Sequence, residues 1–156
     1  MRVWGLKLNA QTSATASAQA TILSPLTITK SIDLNFGNVT VGTSIGTVVL
    51  LPTSIRSATG GVVLPSALPG TITAGKFITG GYPNATYDIT LPVSVTLTNP
   101  GGVTMEVINF TSTPTTTGTL NSGGTEDIYV GATLQVGSSQ AIGTYSGTFN
   151  VSVNYN

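Results

Sequence analysis

Side chains able to do chemistry are scarce in this sequence, and their spacing works against catalysis. Ten of 156 residues are charged: Arg2, Lys7, Lys30, Arg56 and Lys76 against Asp33, Asp88, Glu106, Glu126 and Asp127. His and Cys are absent. That removes thiol nucleophiles, imidazole bases and His- or Cys-ligated metals. Glu126 and Asp127 are adjacent carboxylates, but neighbours on a strand point to opposite faces. They cannot share a proton or flank one bond. The 28 Thr and 15 Ser hydroxyls have no evident base to activate them. Asp33 and Asn35 share a face, yet bring too few oxygens for Ca²⁺ and read as turn caps. Sequons begin at Asn38, Asn84, Asn109 and Asn150, about as many as chance gives in so hydroxyl-rich a chain. Residues 115–117, three threonines, read as a loop open to O-glycosylation. No enzymatic activity, cofactor or metal is expected.

Binding classes narrow in the same way. Net charge is zero, and five scattered cations cannot neutralise a run of phosphates, so nucleic acid is not expected as a partner. The longest apolar runs are a few residues, so no membrane-spanning helix, and no membrane insertion, is expected. A thiol-free chain fits a secreted bacterial protein. The length suits one folded domain able to bury roughly 68–70% of its unfolded surface.

Whatever surface the protein uses must therefore be built by its strands. Thr, Val, Ile and Tyr dominate, and no window carries the i, i+3, i+4, i+7 spacing of a helix. Two-residue alternation is widespread. Gly pairs at 60–61, 80–81, 101–102 and 123–124, with eight prolines, read as turns. The pattern predicts strands near 3–10, 14–22, 26–30, 32–36, 46–51, 61–64, 72–79, 85–91, 93–98, 103–111, 126–136 and 143–155. Short, evenly spaced strands of this kind read as an all-β sandwich or barrel. Phe36, Phe77, Tyr87, Phe110, Tyr129 and Phe149 are expected in its core.

The two ends of the chain stand out. Trp4, Leu6, Leu8, Ala10, Ala14, Ala16, Ala18, Ala20 and Ile22 share even parity, with Thr12 the polar exception. Nineteen extended residues span roughly 60 Å, too far for one strand of a domain this size. One half can belong to the domain while the other leaves it. At the other end, Gly143, Tyr145, Gly147, Phe149, Val151, Val153 and Tyr155 occupy the odd positions, and the even positions are polar. That is a strand with one buried face.

This C-terminal strand resembles the β-zipper of chaperone–usher pilins, with Tyr155 penultimate and Gly143 fourteenth from the end. Residues 22–28 (ILSPLTI) and 33–37 (DLNFG) also resemble a bacterial family of secreted β-sandwich domains of unknown function. The pilin resemblance implies an immunoglobulin-like β-sandwich completed by a donor strand from a neighbouring subunit. It implies a head-to-tail homopolymer at the cell surface, served by a periplasmic chaperone and usher. The chain departs from many such pilins in having no disulfide.

On this reading residues 1–12 are a donor extension and 13–156 the sandwich. Trp4, Leu6, Leu8 and Ala10 insert, because burying Leu6 and Leu8 is worth roughly 1.5–3 kcal/mol each and the Ala face far less. Residues 14–22 then serve as the domain's own first strand. Gly143, Tyr145, Phe149, Val151, Val153 and Tyr155 line the acceptor groove. A small-x-small site at Leu8–Asn9–Ala10 resembles a signal-peptidase cleavage site, and cleavage there would move the donor to about 12–20. The competing function is a monomeric secreted adhesin or carbohydrate-binding sandwich, which needs several aromatics exposed on one face.

Overall fold

The computed structural model describes residues 1–5 and 10–156. The fold is all-β, with twelve strands and no helix among the described residues, and every ladder is antiparallel. In chain order the strands are β1 (Thr27–Ile32), β2 (Asn35–Phe36), β3 (Thr40–Leu50), β4 (Arg56–Val63), β5 (Ile72–Thr73) and β6 (Gly75–Gly80). They continue as β7 (Thr86–Thr90), β8 (Ser94–Thr98), β9 (Thr104–Thr113), β10 (Thr117–Thr119), β11 (Thr125–Val136) and β12 (Ser152–Tyr155).

β11 is the spine. Its alternating Ile128, Val130, Ala132, Leu134 and Val136 are all buried, as period-2 patterning demands. Along one edge it pairs first with β6 and then with β3, and along the other with β9. The handover falls at Gly131, where the chain leaving β3 crosses so closely that a Cβ would stand 2.2 Å from the Leu50 carbonyl oxygen. β1 flanks β6, β4 flanks β3 and β8 flanks β9, which makes a seven-stranded sheet. A three-stranded sheet, β10–β7–β12, lies over part of it, and β2 pairs with β5. The arrangement is consistent with a β-sandwich.

Two hydrophobic clusters fill the interior. One joins β6 and β11 to the three-stranded sheet through Phe77, Ile128, Val130, Tyr87, Ile89, Leu120 and Val151. Burial, with the hydrogen bond that the Tyr87 hydroxyl donates to Glu126 Oε2 at 2.7 Å, pushes the Tyr87 pKa well above the usual tyrosine range. The other gathers Phe36, Val48, Leu50, Val62, Val107, Ala132, Leu134 and Val136 from β2, β3, β4, β9 and β11. Phe110 packs against both, and Phe149 meets it at a ring-centroid distance of 5.1 Å.

Several expectations need correction. Residues 14–22 form no strand; they are exposed and outside every sheet, and the first ladder begins at Thr27. A face of alanines buries too little to hold a strand that has no partner. The Gly60–Gly61 pair is not a turn. It lies inside β4, where Gly60 takes φ +66° opposite a register shift in β3 between Val41 and Gly46. The expected strand at 72–79 is split at Ala74, whose N–H donates to Ser54 Oγ at 2.8 Å instead of a neighbouring strand. β10 was not foreseen. The long C-terminal strand is in a ladder only at Ser152–Tyr155, preceded by a single bridge between Ser146 and Thr98. Of the aromatics expected in the core, Tyr129 lies on an exposed outer face beside Lys76.

Candidate functional site

Where the seven-stranded sheet is not covered by the smaller one, the second cluster opens into a groove of about 1050 Å³. Val95 and Leu97 from β8, Met105, Val107 and Phe110 from β9, and Leu134 from β11 line it. One wall is the stretch 34–41, which includes β2 and the start of β3. The other is the stretch 140–149, leading toward β12. Leu34, Val39 and Val41 are half-buried on the first wall and Tyr145 and Phe149 on the second. No residue lining the groove is charged.

Each wall is tied down locally. Arg56, at the start of β4, donates from Nη1 to the carbonyl oxygens of Phe36 and Asn38 (2.9 Å to the latter) and from Nη2 to that of Pro69 at 3.2 Å. A guanidinium presents several donors in a rigid fork, so one side chain can satisfy carbonyls on separate segments. Asn35 Oδ1 accepts the Gly37 N–H at 2.9 Å, the turn-capping role expected for it, while Asp33 pairs with Lys30 at 2.8 Å. On the opposite wall Gln140 donates to the Thr104 carbonyl and to Tyr145 Oη, each at 3.0 Å, and accepts from the Gly137 N–H. Tyr145 in turn donates to the Ala141 carbonyl at 2.7 Å. Ile142, held between these contacts at the groove's edge, is 99% exposed.

The residues singled out at the C-terminus divide between groove and core. Gly143, Tyr145 and Phe149 line the groove. Val151 is buried in the closed cluster, with Val153 and Tyr155 packed on it. The odd-numbered face from 145 to 155 does point inward apart from exposed Gly147, and the even positions are exposed. Tyr155 has a second task. Its hydroxyl accepts the Tyr82 N–H at 2.7 Å and donates to the Ser24 carbonyl at 2.9 Å, which anchors the root of the N-terminal segment against the last strand.

Of the residues expected to insert, Trp4 is 88% exposed and Ala10 is exposed. Leu6 and Leu8 lie outside the described residues. Sequence reasoning missed Arg56 and the 34–41 wall. A lone cation among uncharged neighbours was a faint signal for Arg56. Nothing local marks 34–41 as a rim.

The carboxylates sit apart from the groove. Glu126 and Asp127 face opposite sides of β11: Glu126 accepts from Tyr87, and Asp127 pairs with Lys76 at 2.8 Å. The Asp127 hydrogen bond raises the Lys76 pKa above its ordinary value. Among the described residues, no three of Asp, Glu, His or Cys gather as metal ligands, and no helix is long and apolar enough to cross a membrane. The groove is thus an uncharged slot with an apolar floor and partly polar rims.

No curated protein and no solved structure matches this chain. A family model does match, over residues 26–155, from just before β1 to the end of β12. The chain therefore belongs to the family described as domain of unknown function DUF4402.

Proposed function

We propose that this protein is a structural subunit of an extracellular bacterial filament, in which an N-terminal segment of one copy completes the sandwich of the next. The sandwich is then immunoglobulin-like, short of one strand in the isolated chain. The observation that carries this reading is the open groove, whose floor belongs to the hydrophobic core and whose walls are chain segments largely outside the ladders. Isolated subunits leave Leu97, Met105 and Phe110 at the edge of that core half-buried, and among the described residues the 140–149 stretch joins a neighbouring strand by one bridge, at Ser146. A strand seated there would cover Leu97, Met105 and Phe110 and pair with chain edges otherwise open. The contact is heterologous, so repetition builds a fibre and not a closed ring. Secretion and handling by a periplasmic chaperone and usher belong to the same reading.

A monomeric carbohydrate-binding sandwich has less behind it. Among the described residues Phe36, Phe77, Tyr87, Phe110 and Phe149 are packed into the two clusters, and the exposed Trp4, Tyr82 and Tyr129 are widely separated in the chain. The deciding experiment is electron microscopy of the purified full-length chain beside Leu97→Asp. Wild type should form fibres. Leu97→Asp should stay monomeric with an unchanged far-UV spectrum, because a carboxylate stays hydrated in the open groove but not under a seated strand. Fibres from the variant, or a wild type that remains monomeric at high concentration, would refute the proposal.

A further inference from the structure

We infer that the strand taken up by the groove is residues 14–22 of a second copy, inserting Ala14, Ala16, Ala18, Ala20 and Ile22, and that the bulkier stretch 4–10 lies beyond the contact. This rests on the donor-strand reading and fixes which segment does the donating.

Three observations converge. First, residues 14–22 are free to leave. They form no strand in their own domain, every residue from 10 to 24 is exposed, and Ile22 is 96% exposed. The reason for assigning them to their own sandwich is gone, and they present an alternating apolar edge with nothing against it.

Second, the tether favours them. Tyr155 holds the segment's root at Ser24, so residues 14–22 begin next to a fixed point. If residues 4–10 were seated instead, residues 11–23 would bridge the two subunits. Those 13 residues can reach roughly 45 Å when extended. They would stay in water with their alanines and Ile22 uncovered, joined by a flexible connector of Ala, Ser, Thr and Gln. Seating 14–22 buries that face and brings successive domains into direct succession.

Third, charge matches. No charged residue lies between Lys7 and Lys30, and none lines the groove. Arg2 shares the parity of Trp4, Leu6 and Leu8 and stands next to them in the alternation, whereas Lys7, at an odd position, would face water. Seating 4–10 therefore brings the Arg2 cation to the rim of a slot with no carboxylate to receive it, at a solvation cost that nothing returns.

The test compares two doubly substituted full-length chains, Ala16→Asp with Ala18→Asp and Leu6→Asp with Leu8→Asp, by sedimentation and electron microscopy. Thermal unfolding of each monomer serves as the folding control. The alanine pair is exposed and outside the sheets, so its substitution leaves the monomer folded. The expected result is loss of fibres in the alanine variant and wild-type fibres in the leucine variant. The reverse result overturns this inference and leaves the donor-strand reading standing. Loss in both variants also overturns it, since residues 4–10 would then be part of the contact. Wild-type fibres from both variants would overturn the donor-strand reading itself.

Discussion

The two hydrophobic clusters are built from the same kinds of residue on the same spine, yet only one is closed. Around Ile128 and Val130 the sheet β10–β7–β12 lies across β6 and β11, and Tyr87, Leu120 and Ile128 are essentially free of solvent. Around Leu134 the backing of β3, β4 and β9 is equally regular and its centre is buried, but the cover stops short at the edge. Leu97, Met105 and Phe110 remain half-buried there. The difference lies at the cluster's edge, not in its buried centre. That partly uncovered edge is the feature on which the donor-strand proposal rests.

Substitutions can break or sharpen that contrast. The largest effect should come from Ile128→Ala in the closed cluster, a loss of about 2–5 kcal/mol, because the cavity cannot collapse in a fully enclosed site. The matched Leu97→Ala in the groove should cost the monomer roughly 1 kcal/mol or less, since part of that side chain is already wet. Urea unfolding of the two variants measures both, and equal losses would mean that the groove is closed in solution. Next comes Arg56→Met, which leaves three carbonyls without their shared donor. It should cost about 1–3 kcal/mol and speed amide exchange in residues 36–41 while leaving β7 and β12 protected. Uniform loss of protection would show that the wall is not a separate local structure.

The smallest effect should appear at alkaline pH. Burial raises the Tyr87 pKa above its unfolded value near 10, so below that value both states are protonated and stability is flat. Above it the unfolded chain releases the proton first. Stability then falls with rising pH, by at most about 1.4 kcal/mol per pH unit from this group. Tyr87→Phe should remove that slope at the closed end. An unchanged slope would assign alkaline sensitivity elsewhere.

Much of this architecture is readable from alternation. The five inward residues of β11, the inward faces of β7 and β8 on either side of Pro92 and the odd-numbered inward face of 145–155 follow from period-2 burial, which is a local property. Reading failed where structure depended on a distant partner. Residues 14–22 alternate as cleanly as any strand, but alternation states which face would be buried and not whether a neighbour exists to bury it. Gly60 and Gly61 look like a turn and instead relieve crowding across the hairpin, Gly60 against Ile45 and Gly46, and Gly61 against Ser44. Thr117–Thr119 looks like loop and becomes β10 through pairing with β7.

By itself, then, the sequence determined that the chain is built of strands and which faces turn inward. Tertiary structure alone decided where the covering layer stops, that 34–41 faces 140–149 across an open slot, and that Arg56 holds one of those rims. The reason is range. Side-chain alternation is set by neighbouring residues along the backbone, whereas an uncovered face results from pairings between segments up to 90 residues apart, as between Val136 and Gly46, which no local pattern encodes.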